Sequence, residues 1–174
     1  MSSKIAFGAA LLLALASGPS FAQSAKPNDA QIAHIAYTAD DIDIKYAQLA
    51  LQKTKNADVR AFAESMEKDH KSVNDQALAL LKKLKVTPQD NDTSKSLVKQ
   101  ADDERAKLSK LNGAAFDKAY IANEVAYHKT VNGALQGTLI PSASNAELKN
   151  LLETGLKIFQ GHQQHAEHVA MELK

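Results

Sequence analysis

The chain has 174 residues, with 21 Lys and Arg against 20 Asp and Glu, 44% hydrophobic and 5% aromatic residues, and no Cys or Trp. A formal charge of +1 offers no electrostatic footprint for a phosphate backbone, so nucleic acid is not an expected partner. The missing thiols exclude a disulfide framework, a thiolate metal site, a cysteine nucleophile and a lipid-modified N-terminal Cys.

The first 22 residues read as a cleaved secretory signal. Lys4 gives a short positive start, Ile5 to Ala16 is an apolar run, and Ser20-Phe21-Ala22 has the small-x-small form of a signal peptidase site, which puts cleavage after Ala22. As a helix that run spans about 18 Å, short of the ~30 Å hydrocarbon core. No later stretch is long and apolar enough to span a membrane, so the expected location is periplasmic or secreted. Lys4 is the only charge among these residues, and the remainder, 23–174, is expected to be one domain of balanced charge.

Punctuation divides that domain into helices. Asn28 or Asp29 can cap a first helix to about Lys53, and Asn56 can cap a second from about Ala57 to Leu84. Val86-Thr87-Pro88 ends it, and a polar loop leads to Ser94, a candidate cap for a shorter helix to about Lys110. Asn112-Gly113 closes the connector. A further segment runs from about Ala114 to Leu139, where Pro141 is expected to stop it, and Ser144-x-x-Glu147 reads as a capping box for the last helix, to about Leu173. No alternating apolar run bounded by hairpin turns suggests a strand.

Projection at 100° per residue gives each long helix an apolar stripe with polar groups inside it. The first carries Ile32, Ile35, Ile42 and Tyr46 with Asp43 at the edge, and His34 points the opposite way. The second carries Val59, Phe62, Met66, Val73 and Leu81 with His70 near the middle and Glu67 and Asp69 beside it. The third carries Phe116, Tyr120, Tyr127 and Val131 with Glu124 and His128 in the same arc. The last carries Leu148, Leu152, Phe159, Ala166 and Val169 with His162 inside, His165 at the border and His168 on the far side.

Heights along the bundle test the topology. If residues 85 to 112 cross back along the bundle, Asp43, His70, His128 and His162 all fall roughly 15 to 21 Å from the turn joining the first two helices. A plain up-down-up-down path would put His162 near 27 Å, out of line. The expected fold is therefore all-α, a ferritin-like four-helix bundle with a long crossover connection carrying a short extra helix.

The series Val59-x-x-Phe62-Ala63-x-x-Met66-x-x-Asp69-His70, then Phe116-Asp117-x-x-Tyr120 with His128 and Val131, then Leu148-Lys149 with His162, resembles the secreted bacterial family catalogued as domain of unknown function 4142. The likeness runs from about Asp29 to Leu173 and implies a ferritin-like four-helix fold and export, with no defined activity. Its matching positions here are His70, His128 and His162, with Asp43 where the family often has Glu.

On the residues themselves, the polar layer is a candidate metal site formed by His70, His128 and His162 with Asp43, Glu124 and Glu67. Glu67-x-x-His70 has the spacing with which ferritin-like di-iron proteins place two ligands on one helix face. The last helix offers no inward carboxylate, so the set suits a single Zn, Fe, Cu or Ni ion better than a di-iron centre. The competing reading is a non-enzymatic envelope or stress-response bundle without metal, whose neutral core histidines are held below pKa ~6.5 and loosen the bundle in acid. No phosphate loop, nucleophile elbow or zinc-protease helix occurs, so no motif assigns a reaction.

Overall fold

The computed structural model describes residues 26–173, so the leader expected over residues 1–22 lies outside the described residues. Five helices and no strand are found among the described residues: α1 (Asp29–Lys53), α2 (Ala57–Leu84), α3 (Asp92–Leu108), α4 (Gly113–Ala134) and α5 (Ala146–Glu172). A π-helical turn, Leu135–Leu139, and a last turn, Ile140–Ser142, prolong α4.

The caps follow from short polar side chains that accept the free N–H groups of a first turn. Asn28 and Gln31 form a reciprocal capping box at α1, and Asn56 accepts from Asp58 and Val59 at α2. Two expected caps are displaced by one to three residues. Asn91, not Ser94, caps α3, with Ser94 as the reciprocal partner inside the first turn. Asn145, not Ser144, caps α5 by accepting from Glu147 and Leu148. At α5 the Asn one residue nearer the helix takes the role from Ser144, whereas at α3 the Asn three residues before Ser94 does. At the end of α2, Lys85 is left-handed (φ 54°) and Val86 N donates to Leu81 O at 3.0 Å, a Schellman closure made without glycine.

Pro141 does not stop α4 where expected. A proline ring clashes with the carbonyl four residues earlier, but the π-turn widens the helix there: Ile140 N donates to Leu135 O, five residues back. The chain keeps its helical path to Ser142.

Interhelical contacts give the topology. Gln89 N donates to Ala30 O, and Asp29 accepts from Ser144 N and Asn145 N, so the loop after α2 and the start of α5 lie beside the start of α1. Lys53 Nζ donates to Ser109 O and Asn112 Oδ1 and lies 5.6 Å from the centre of the Phe116 ring, so α3 ends and α4 begins at the opposite end. The connector crosses back along the bundle, α3 packs on the outside of α1, and α1, α2, α5 and α4 form the four-helix ring. α3 covers the first half of the far face of α1, where half-buried His34 meets Ser94 Oγ at 3.0 Å.

The core has two apolar halves. The lower, near the α1–α2 turn, packs Phe62, Met66, Phe116, Tyr120, Ile121 and Val169; the upper packs Ile32, Ile35, Leu135, Leu148, Leu152 and Phe159. Each such side chain contributes about 1.5–3 kcal/mol by burial. Between the halves all four long helices bring polar side chains inward, at Asp40 and Asp43, His70, Glu124 and His128, and His162.

Candidate metal centre

The layer between the two apolar halves contains His70, His128 and His162, whose ring centres are 5.2 to 5.6 Å apart. Asp43 and Glu124 are wholly buried beside them. Asp43 Oδ2 faces two imidazoles at once, His70 Nε2 at 3.3 Å and His128 Nε2 at 3.4 Å. Three helices thus converge on one carboxylate oxygen, and α5 adds the third ring.

Each imidazole is oriented by its outer nitrogen. His70 Nδ1 lies 2.8 Å from Asp40 Oδ1, His128 Nδ1 lies 3.0 Å from the Glu124 carbonyl, and His162 Nε2 lies 3.1 Å from Asp69 Oδ2. These oxygens only accept when the carboxylates are ionised, so the outer nitrogens donate and the tautomers follow. The inner nitrogens, His70 Nε2, His128 Nε2 and His162 Nδ1, make no hydrogen bond, nor do either oxygen of Asp43 or of Glu124. Seven buried polar atoms without a protein hydrogen bond in one layer are unusual, because a buried polar group ordinarily finds a partner. Two sets of three, His70 with His128 and His162, and Asp43 with Glu124 and His128, each offer ligand atoms within 4.8 Å of one another.

Packing fixes the rings further. Phe159 stacks on His70 with centres 4.6 Å apart and planes 12° from parallel. Gly155 one turn earlier leaves room for that ring, since an added Cβ would come within 3.3 Å of Phe159 Cε2. Tyr127 ties α4 to α1 by donating to Ala39 O at 2.8 Å, and Tyr46 donates to Ala101 O at 3.4 Å. Tyr120 Oη, one turn before Glu124, is buried without a partner.

The electrostatics divide the three histidines. Burial lowers His128, and the neighbouring positive charge of His70 adds to this against the pull of Asp43. His162 falls to about 4 through burial and then His70, with the Asp69 bond opposing. His70 departs from the expectation of a neutral core histidine. Burial works against its charge, but Asp43, Asp40 and Asp69 together outweigh it and hold its pKa above the ordinary value. Burial and then the Asp43 charge push Glu124 well above the usual carboxyl range. A cation entering this layer would therefore compete with protons for Glu124 and His70.

Of the six residues expected at the site, His70, His128, His162, Asp43 and Glu124 come together; Glu67 does not. Its carboxylate turns to the surface, accepting from Lys71 Nζ at 2.6 Å and Gln48 Nε2 at 3.0 Å. The Lys71 and Gln48 bonds hold it below the ordinary value. Two carboxylate acceptors of consequence were absent from that set, Asp40 behind His70 and Asp69 behind His162. Asp40 sits one turn before Asp43, a spacing that aims both inward. His165 and His168 are exposed: His165 edges against the Phe62 ring, and His168 meets Glu172 at 3.3 Å.

A search of curated proteins finds no match to this chain. Among solved structures, a DUF305 protein from Streptomyces coelicolor is similar with a TM-score of 0.70 and 13% identity, covering 82% of this chain and 91% of that one. A DUF305 fragment from Deinococcus radiodurans gives a TM-score of 0.72 at 15% identity, covering 82% and 95%. At such identities the likeness is one of fold, and it agrees with the helical bundle described above. Residues 14–169 match the family described as domain of unknown function DUF4142, and the chain belongs to that family.

Proposed function

We propose that the protein is exported and binds one transition-metal ion in the polar layer of its bundle, through His70, His128 and His162 with Asp43 and Glu124. The observation that carries this reading is the arrangement of the three imidazoles. Each gives its outer N–H to an oxygen and turns an unpartnered nitrogen inward beside two buried carboxylates. Carboxylate or carbonyl oxygens behind ligating histidines are the usual outer support of metal sites, since they fix the tautomer and raise the basicity of the ligand. An all-nitrogen-and-oxygen set suits Zn, Fe, Cu or Ni, and the ordinary affinity order among these favours Cu(II).

Elemental analysis of protein purified without a His tag tests it. One bound ion per chain is expected, lost in His70→Ala, His128→Ala and His162→Ala and retained in His165→Ala. Wild-type protein that stays empty and gains no thermal stability from any divalent ion would overturn it.

Export rests on the leader pattern of residues 1–22. The Streptomyces protein of similar fold is itself provisionally described as secreted, and no helix among the described residues is long and apolar enough to cross a membrane. Fractionation followed by N-terminal sequencing is expected to find a mature chain starting at Gln23; a cytoplasmic chain starting at Met1 would refute it.

The metal-free alternative, an acid-responsive structural bundle, draws on the lowered values of His128 and His162. It predicts loosening in acid with no stabilisation by metal at any pH.

A further inference from the structure

Above the histidine layer the bundle contains a cavity of about 520 Å³, bounded by α1, α2, the start of α3, the end of α4 and α5. Its origin is visible in the sequence: Ala36, Ala39, Ala77 and Gly155 stand at lining positions where larger side chains would close the space. Leu135 and Leu139 of the π-turn face the cavity from the end of α4. Protein interiors are close-packed, with few voids larger than a water molecule. A volume of this size lies instead within the ~300–1,000 Å³ of small-molecule sites, which are likewise mainly apolar with a few placed polar groups.

The lining has direction. On α1 it extends from Gln31 to Asp40, nine residues or about 13 Å. Among the described residues two charged side chains line it, one at each end. Asp40 closes the inner end, already engaged with His70. Lys26 lies at the outer end, and the nearby acid Asp29 is turned aside to the amides of Ser144 and Asn145. An apolar cavity lacks the polar partners that water requires and favours an apolar occupant. A cationic edge adds a preference for an anionic head.

We propose that this cavity binds one free, single-chain aliphatic carboxylate, with its chain running inward along α1 toward Asp40 and Phe159 and its head at Lys26. No proposed metal ligand lines the cavity, although Asp40 and Phe159 at its inner end contact His70, and the inference stands whether or not a metal is bound.

Calorimetric titration of the delipidated protein with saturated carboxylates of eight to sixteen carbons, kept below micelle concentrations, tests it. One chain is expected to bind per protein, tightening about fourfold per methylene and levelling off once the chain reaches the inner wall. Alcohols of equal length are expected to bind about two- to fivefold more weakly. Lys26→Glu should weaken the carboxylates by at least that factor and leave the alcohols unchanged. Ala77→Leu, verified as folded by circular dichroism, should shorten the chain length at which affinity levels off. Absence of saturable binding, binding to phosphatidylcholine vesicles alone, or wild-type binding by both variants would overturn the proposal.

Discussion

Replacing Asp40 by Asn probes the support behind the metal layer without emptying it. Asp40 and His70 are 4% and 2% exposed, and their bond is 2.8 Å, so solvent screens little of the interaction. The amide oxygen of Asn still accepts from Nδ1 and keeps the tautomer; only the negative charge is removed. Loss of a carboxylate behind a ligating histidine costs about 10- to 100-fold in metal affinity, or about 1.4–2.8 kcal/mol. Competition against a chromophoric chelator at pH 7.5 measures it, with Glu67→Gln as the surface control. Asp40→Ala is expected to cost the fold a further ~1–3 kcal/mol, because it leaves the Nδ1 proton unpaired in the core. An affinity for Asp40→Asn within twofold of wild type, or an equal loss in Glu67→Gln, would refute the reasoning.

Three further outcomes follow from the same geometry. In chelator, His162 takes up a proton in the unfolded chain near pH 6.5 but in the fold only near 4. Its contribution is therefore complete above pH 6.5 and falls by about 1.4 kcal/mol per unit as the pH drops toward 4, roughly 3 kcal/mol in all. His128 adds in the same sense, whereas raised His70 contributes stability at low pH that is lost as pH rises. Denaturant titrations from pH 4 to 7.5 should give a flatter stability profile for His162→Gln than for wild type, and parallel profiles would contradict the sign. On α5, Gly161 has open space around its Cβ position, so Gly161→Ala should stabilise by about 0.5–1 kcal/mol; Gly155→Ala should lose that gain by crowding Phe159, and equal melting shifts would refute the contrast. At the end of α2, Lys85→Gly relieves a left-handed side chain and should raise stability by up to about 1 kcal/mol, read from the denaturant midpoint.

The architecture was legible because helix periodicity and cap chemistry are local. The crossover could be inferred from heights and from the length of the connector, since Asp43, His70, His128 and His162 align only if the connector runs the length of the bundle. What failed depended on azimuth and on neighbours. Glu67 shares a face with His70 in spacing, but three residues advance a helix by 300°, and the remaining 60° carries Glu67 round to Gln48 at the surface. Asp40 and Asp69 could not be assigned their partners because their bonds cross from one helix to another. The raised His70 has the same cause: a single helix shows the burial of the ring, but three carboxylates from two helices decide the sign of its shift. Pro141 was misread because the widened turn that accommodates it belongs to the preceding residues Leu135–Leu139.

Crystals grown with one equivalent of Zn²⁺, and diffraction recorded on both sides of the zinc absorption edge, test the central claim most directly. The account predicts one anomalous peak about 2.0–2.1 Å from His70 Nε2, His128 Nε2 and His162 Nδ1, with Asp40 and Asp69 still bonded to the outer nitrogens. Anomalous density confined to exposed His165 or His168, with none between the four long helices, would contradict it.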